Sequence, residues 1–188
     1  MKTYFAAFFL MLLAACMQTT TPQQPVEIVE DDLCQTETFK VDSRFPAANM
    51  ESCSIVDAQT IEIFLKPEDI SINSSPWYAV RLTPFKAGEV RLILRYEEHP
   101  HRYEPKLSYD GISWSVLQKD RIDSKATGFR VTLKLALDSR PLFVSAQELF
   151  TNQTHQDWIG AHSHKDFVSR SKIGESIEGR SIDMIRTY

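Results

Sequence analysis

His101-Arg102-Tyr103-Glu104 spells His-x-x-Glu. An imidazole and a carboxylate are ligand types that zinc takes in hydrolytic sites, where the metal activates water. A third ligand would have to come from His155, His162 or His164. Pro100 and Pro105 bracket the pair, which places it on a loop or at a strand end. His162-x-His164 would point both rings to one side of a strand. It lies, however, in a polar stretch rich in Ser and Lys, with no matching carboxylate or cysteine pair. Gly174-Glu175-Ser176-Ile177-Glu178 lacks the final glycine of a nucleophile elbow, and no helix follows it. Trp77, Tyr78, Tyr109 and Trp114 could stack on a sugar, but large aromatics more often build cores. The residues themselves therefore assign no catalytic group and no metal ligand.

Charge narrows the partners. The 188 residues carry a formal net charge of -4. There is no Lys/Arg cluster, so a nucleic-acid groove is not expected. Hydrophobic residues make up 43% of the chain and charged residues 24%. Those fractions are typical of a globular domain.

Residues 1–16 have the form of a lipoprotein signal peptide. Lys2 is the positive region, and residues 4–13 are an unbroken apolar run. That run is shorter than a membrane-spanning helix requires. Leu13-Ala14-Ala15-Cys16 resembles a bacterial lipobox, whose Cys becomes the acylated mature N-terminus. Acylation of Cys16 would fix the chain to a membrane, at ~0.8 kcal/mol per buried CH2. Met17 rather than Asp at the next position favours the outer membrane, on the periplasmic side of the cell envelope. Residues 17–33 are rich in Thr, Gln and Pro and read as a flexible tether. In a bacterial host the Asn73-Ser74-Ser75 and Asn152-Gln153-Thr154 triplets carry no glycosylation meaning. The remaining cysteines, Cys34 and Cys53, are expected to pair in an oxidising compartment; the alternative is two separate buried thiols.

The elements that must position these residues are mainly strands. Period-2 or strand-rich patterns cover positions 38–45, 51–57, 59–65, 77–82, 90–96, 106–109, 112–117, 129–137 and 142–144. Asp110-Gly111 is a hairpin signal, because its turn needs positive φ. The pattern predicts an antiparallel, jelly-roll-like β-sandwich over residues 34–151. Residues 152–188 begin with a short helix capped near Thr154. They end in a β-hairpin that turns at Glu178-Gly179.

Two motifs then carry a resemblance. The first is Trp77-Tyr78 followed by Tyr103-x-Pro105-Lys106-x-Ser108-Tyr109-Asp110-Gly111-x-x-Trp114; the second is Gly174-x-Ser176-x-Glu178-Gly179-Arg180. Together and in this order they resemble the M14 zinc metallocarboxypeptidases, specifically the cytosolic-carboxypeptidase-like subfamily. The likeness runs from about Cys53 to Arg186. It implies an N-terminal β-sandwich domain, then the hairpin that opens an α/β carboxypeptidase domain. In that family the zinc ligands, the substrate-carboxylate Arg and the catalytic Glu all lie after the hairpin. The resemblance therefore implies a truncated, lipid-anchored accessory domain, inactive alone, with zinc expected only in the missing catalytic domain. A peptide or protein substrate is implied for the family. The other reading of the strands is a non-catalytic sandwich lipoprotein that binds peptide or glycan.

Overall fold

The computed structural model describes residues 28–29, 33–74, 76–124 and 127–188. The proposed signal peptide, Cys16 and Ser75 lie outside the described residues. The strands are β1 (Ile28–Val29), β2 (Leu33–Gln35), β3 (Phe39–Asp42), β4 (Ser52–Asp57), β5 (Thr60–Leu65), β6 (Ala79–Pro84) and β7 (Gly88–Tyr96). They continue as β8 (Lys106–Ser108), β9 (Ser115–Val116), β10 (Ile122–Ser124), β11 (Arg130–Leu137) and β12 (Leu142–Ser145). Helix α1 (Asn152–His162) and strands β13 (Val168–Glu175) and β14 (Ser181–Thr187) complete the chain.

Two six-stranded sheets face each other, in the orders β1-β4-β5-β7-β11-β10 and β2-β3-β6-β12-β8-β9. This is the expected sandwich. One pair departs from the antiparallel rule: β5 runs parallel to β7, with Ile61 beside Leu92 and Ile63 beside Leu94. Alternation decides which face is buried. Val90, Leu92, Leu94 and Tyr96 of β7 and Val131, Leu133, Leu135 and Leu137 of β11 point inward. They meet Phe39, Val41, Val80, Leu82, Leu142 and Val144 of the other sheet in one core. Each such side chain contributes about 1.5–3 kcal/mol of burial.

The two buried carboxylates on these strands are paired. Asp42 and Arg81 are cross-strand neighbours on β3 and β6. Arg81 donates through Nη2 at 2.8 Å and Nε at 3.2 Å to the buried Asp42 carboxylate. Glu62, 7% exposed, accepts from Arg130 at 2.7 Å. Cys34 on β2 and Cys53 on β4 form a disulfide that crosses from one sheet to the other.

Several boundaries differ from the sequence reading. The expected tether over residues 17–33 ends early, since Ile28 and Val29 pair with Ser54 and Cys53. Trp77 and Tyr78 precede β6 rather than starting it. The strand expected over residues 112–117 shrinks to Ser115–Val116, because Asp110-Gly111 sits in a wide loop and not in a two-residue turn. Helix α1 is capped by Thr151, not Thr154: its Oγ1 accepts from the Thr154 N–H at 3.1 Å. A hydroxyl at this position satisfies one of the open N–H groups of the first turn. His162 lies in the last turn of this helix rather than on a linker.

Candidate functional site

The first motif builds the end of the sandwich. Tyr78 is fully buried, and its ring meets Tyr103 edge-on at 6.4 Å. Burial pushes the Tyr78 hydroxyl well above the usual phenol range. Trp77 is half-buried and holds the Asn49 amide through its carbonyl at 2.8 Å. Pro105 is buried and accepts the Leu117 N–H at 2.8 Å, which closes the β8–β9 hairpin. Lys106 lies 3.8 Å from Glu148.

Between β8 and β9, Asp110 organises the loop. Its carboxylate accepts the N–H groups of Ser113 and Ile112 at 2.7 and 2.8 Å, and the Ser108 hydroxyl at 2.9 Å. Those donors hold its pKa well below the carboxylate range. Gly111 takes φ 74°. That is the left-handed region that glycine permits. Tyr109 lies under the Arg140 guanidinium at 3.9 Å, and Trp114 is half-buried. With Tyr78 inside the core, the four aromatics do not form one stacking platform.

His101 and Glu104 do not converge as ligands. The His101 Nδ1 stands 2.7 Å from the Tyr96 hydroxyl. Burial lowers the His101 pKa, so the imidazole is neutral. Glu104 is exposed. His162 bonds through Nδ1 to the Trp158 carbonyl at 2.7 Å. Among the described residues, no group of three His, Cys, Asp or Glu side chains could hold a metal.

The second motif forms the β13–β14 turn. Ser176 and Arg180 close it: the Ser176 N–H donates to the Arg180 carbonyl at 2.8 Å, and Ser176 Oγ accepts the Arg180 N–H at 3.1 Å. Gly179 takes φ 73° within it. Gly174 sits where the strand register shifts. Arg180 pairs with Glu178 at 2.7 Å. With the Asn152 amide turned so that its oxygen faces Arg180, that oxygen also accepts from Nε at 3.2 Å and Nη1 at 3.0 Å. Asp183 is the second link to α1. Arg170 donates to it at 3.0 Å and Gln156 at 2.8 Å, and its side chain is 2% exposed. Arg170 first, then Gln156, lower its pKa to about 2. A concavity of about 620 Å³ opens beside the turn, lined by Asn152, Ser176, Glu178, Arg180 and Ile182 among others.

No protein-family model matches the chain, and no curated protein matches it. Solved structures do match. A carboxypeptidase A candidate from Shewanella denitrificans OS-217 aligns with TM-score 0.64 and 18% identity, over 77% of this chain and 39% of that one. A metallo-carboxypeptidase from Burkholderia cenocepacia aligns with TM-score 0.62 and 17% identity, over 79% and 39%. The Pseudomonas aeruginosa metallo-carboxypeptidase, solved with (2-guanidinoethylmercapto)succinic acid, gives TM-score 0.60 and 18% identity, over 77% and 39%. The chain has a carboxypeptidase-like fold. It spans about two-fifths of the length of these structures. The described residues do not fit the zinc that a metallo-carboxypeptidase would use, so no hydrolytic step is assigned to them.

Sequence reasoning did not find the Asp42–Arg81 pair or the Asp183–Arg170–Gln156 cluster. Both join residues from separate elements, and neither has a local spacing signature.

Proposed function

We propose that this chain is the N-terminal accessory portion of a metallocarboxypeptidase-like protein of the cytosolic subfamily, anchored by lipid at Cys16. The zinc ligands and catalytic Glu would belong to a catalytic portion outside it. What supports the reading is the hairpin. Among the described residues β13 and β14 pair only with each other, while Ile173, Ile177 and Ile182 are exposed at 61%, 108% and 47%. A two-stranded sheet with little packed on it is marginal in water, so these exposed isoleucines support the presence of a covering element. The likeness to carboxypeptidase folds supports a catalytic portion as that element. In this reading the sandwich holds the catalytic portion at the outer membrane and orients it toward peptide substrates.

The decisive experiment reads the coding DNA past Tyr188 in all frames. The expected result is a His-x-x-Glu pair followed by a distant His and Glu. Expression through that region should then give a zinc-binding protein that trims C-terminal residues. Absence of any such motif in every frame overturns the proposal. Anchoring is tested separately by incorporation of labelled fatty acid, which Cys16→Ser should abolish.

A further inference from the structure

The cleft beside His101 is unrelated to the hairpin. It has a volume of about 250 Å³. That is less than drug-sized ligands occupy, so it suits a smaller molecule. Its walls are Tyr103, Val116, Leu117 and Ile122, from the loop before β8, from β9, from the segment after it and from β10. Val116 is 48% exposed, which leaves apolar surface open to the cleft. Tyr103 is braced from behind by Tyr78.

The rim is what selects a ligand. It carries Glu104 and Lys119, both exposed. Neither makes an ion pair or side-chain hydrogen bond among the described residues. Nor do they pair with each other, so more than 4.0 Å separates their charged atoms. The neighbouring cations are engaged. Arg121 is bonded to Glu89 at 2.8 and 3.0 Å, and the Arg102 guanidinium lies 5.3 Å over the Tyr103 ring. His101 adds no charge, since its ring is neutral and turned onto Tyr96. Of the charged side chains that line the cleft itself, one is positive and one negative, on either side of an apolar slot. An anion would meet Glu104 and a cation would meet Lys119, each unfavourably. A zwitterion satisfies both.

We propose that this cleft binds one free apolar α-amino acid. Its side chain enters between Tyr103 and Ile122, its carboxylate lies on Lys119 and its ammonium on Glu104. The site uses the sandwich alone and stands whether or not the chain serves a carboxypeptidase.

The test is calorimetric titration of the full chain in detergent with L-leucine and L-phenylalanine. N-acetyl-L-leucine, L-leucinamide, L-glutamate and L-lysine serve as comparisons. Saturable binding of leucine or phenylalanine is expected, weakened about tenfold or more in each blocked form. Glutamate and lysine should not bind detectably. Lys119→Gln should erase the preference for leucine over leucinamide, and Glu104→Gln the preference over N-acetyl-leucine. Both positions are on the surface, so the variants should melt as the parent does. Val116→Trp should fill the slot and abolish binding. No binding up to about 20 mM overturns the proposal. So does equal binding of leucine and its blocked forms, or selectivity unchanged in the two charge variants.

Discussion

The Cys34–Cys53 disulfide joins β2 in one sheet to β4 in the other, across a sequence separation of 19. It ties the start of the described core to the hairpin whose second strand, β5, lies at the centre of its sheet. A closed loop of that length stabilises by about 3 kcal/mol, chiefly by restricting the unfolded chain. Cys34→Ser or Cys53→Ser should lower the unfolding free energy, measured in urea, by that amount. Loss of both cysteines should cost no more than loss of one. A single variant that melts like the parent would show that the crosslink is energetically idle.

The Asp42 carboxylate is buried, and Arg81 supplies its counter-charge from the neighbouring strand. Arg81→Ala leaves that charge without its partner. The Arg81 side chain is 32% exposed, so water can replace part of what it provides. The expected loss is therefore about 2–3 kcal/mol, below the full value for a buried pair. Arg81→Ala combined with Asp42→Asn should recover part of it. Denaturant unfolding of the double-mutant cycle measures the coupling.

Two loop glycines should respond differently to Ala. Gly111 has φ 74° and open space where a Cβ would go. Gly128 has φ 70° and would place that Cβ 2.9 Å from the Pro100 Cβ, beside the His101 N–H that donates to the Gly128 carbonyl. Gly111→Ala should cost about 1 kcal/mol from backbone strain alone. Gly128→Ala should cost about 2–3 kcal/mol, because the clash adds to the strain. Equal losses would mean that Pro100 moves aside freely.

Acid should weaken the contact between the hairpin and α1. Asp183 has its pKa lowered to about 2 by Arg170 and Gln156. An unfolded Asp titrates near ~3.9. A depressed folded pKa gives stability that is complete above the unfolded value and lost as pH falls through the folded one. Protection of the amides in β13 and β14, taken relative to their intrinsic exchange rates, should therefore fall between about pH 4 and about pH 2. Asp183→Asn should remove this pH step. An unchanged step in that variant would assign it to another carboxylate.

Metal analysis of the purified chain should find far less than one zinc per molecule. His101→Ala should leave that value unchanged, since the His101 Nδ1 faces Tyr96 and Glu104 stands apart on the surface. A stoichiometric zinc that His101→Ala removes would restore the ligand reading of His-x-x-Glu.

The strands were legible because alternation of Val90, Leu92 and Leu94, and of Val131, Leu133 and Leu135, follows directly from one buried face. Their partners were less so. Nothing in the order of β5 and β7 announces a parallel pairing, because that depends on where β6 goes. The Asp110-Gly111 signal located a hairpin but misjudged its width. Asp110 draws in the N–H groups of Ile112 and Ser113, so the loop curls around its side chain before β9 begins. The helix cap shifted because Thr151 and Thr154 are equally good by type, and only packing chooses between them. The Glu104–Lys119 rim left no trace in sequence, since only the pairing of β8 with β9 brings the two residues to one cleft.

The parallel β5–β7 pair also sets a timetable. Between them in sequence, β6 lies against β3 in the other sheet, so the chain must cross over and come back before Ile61 and Ile63 find their neighbours on β7. No tight turn can nucleate that contact; it waits for the closure of a long loop. Refolding should fall in the millisecond-to-second range of non-local β topologies. In the interval β5 has β4 on one side only, and its other edge is open to any strand that arrives first.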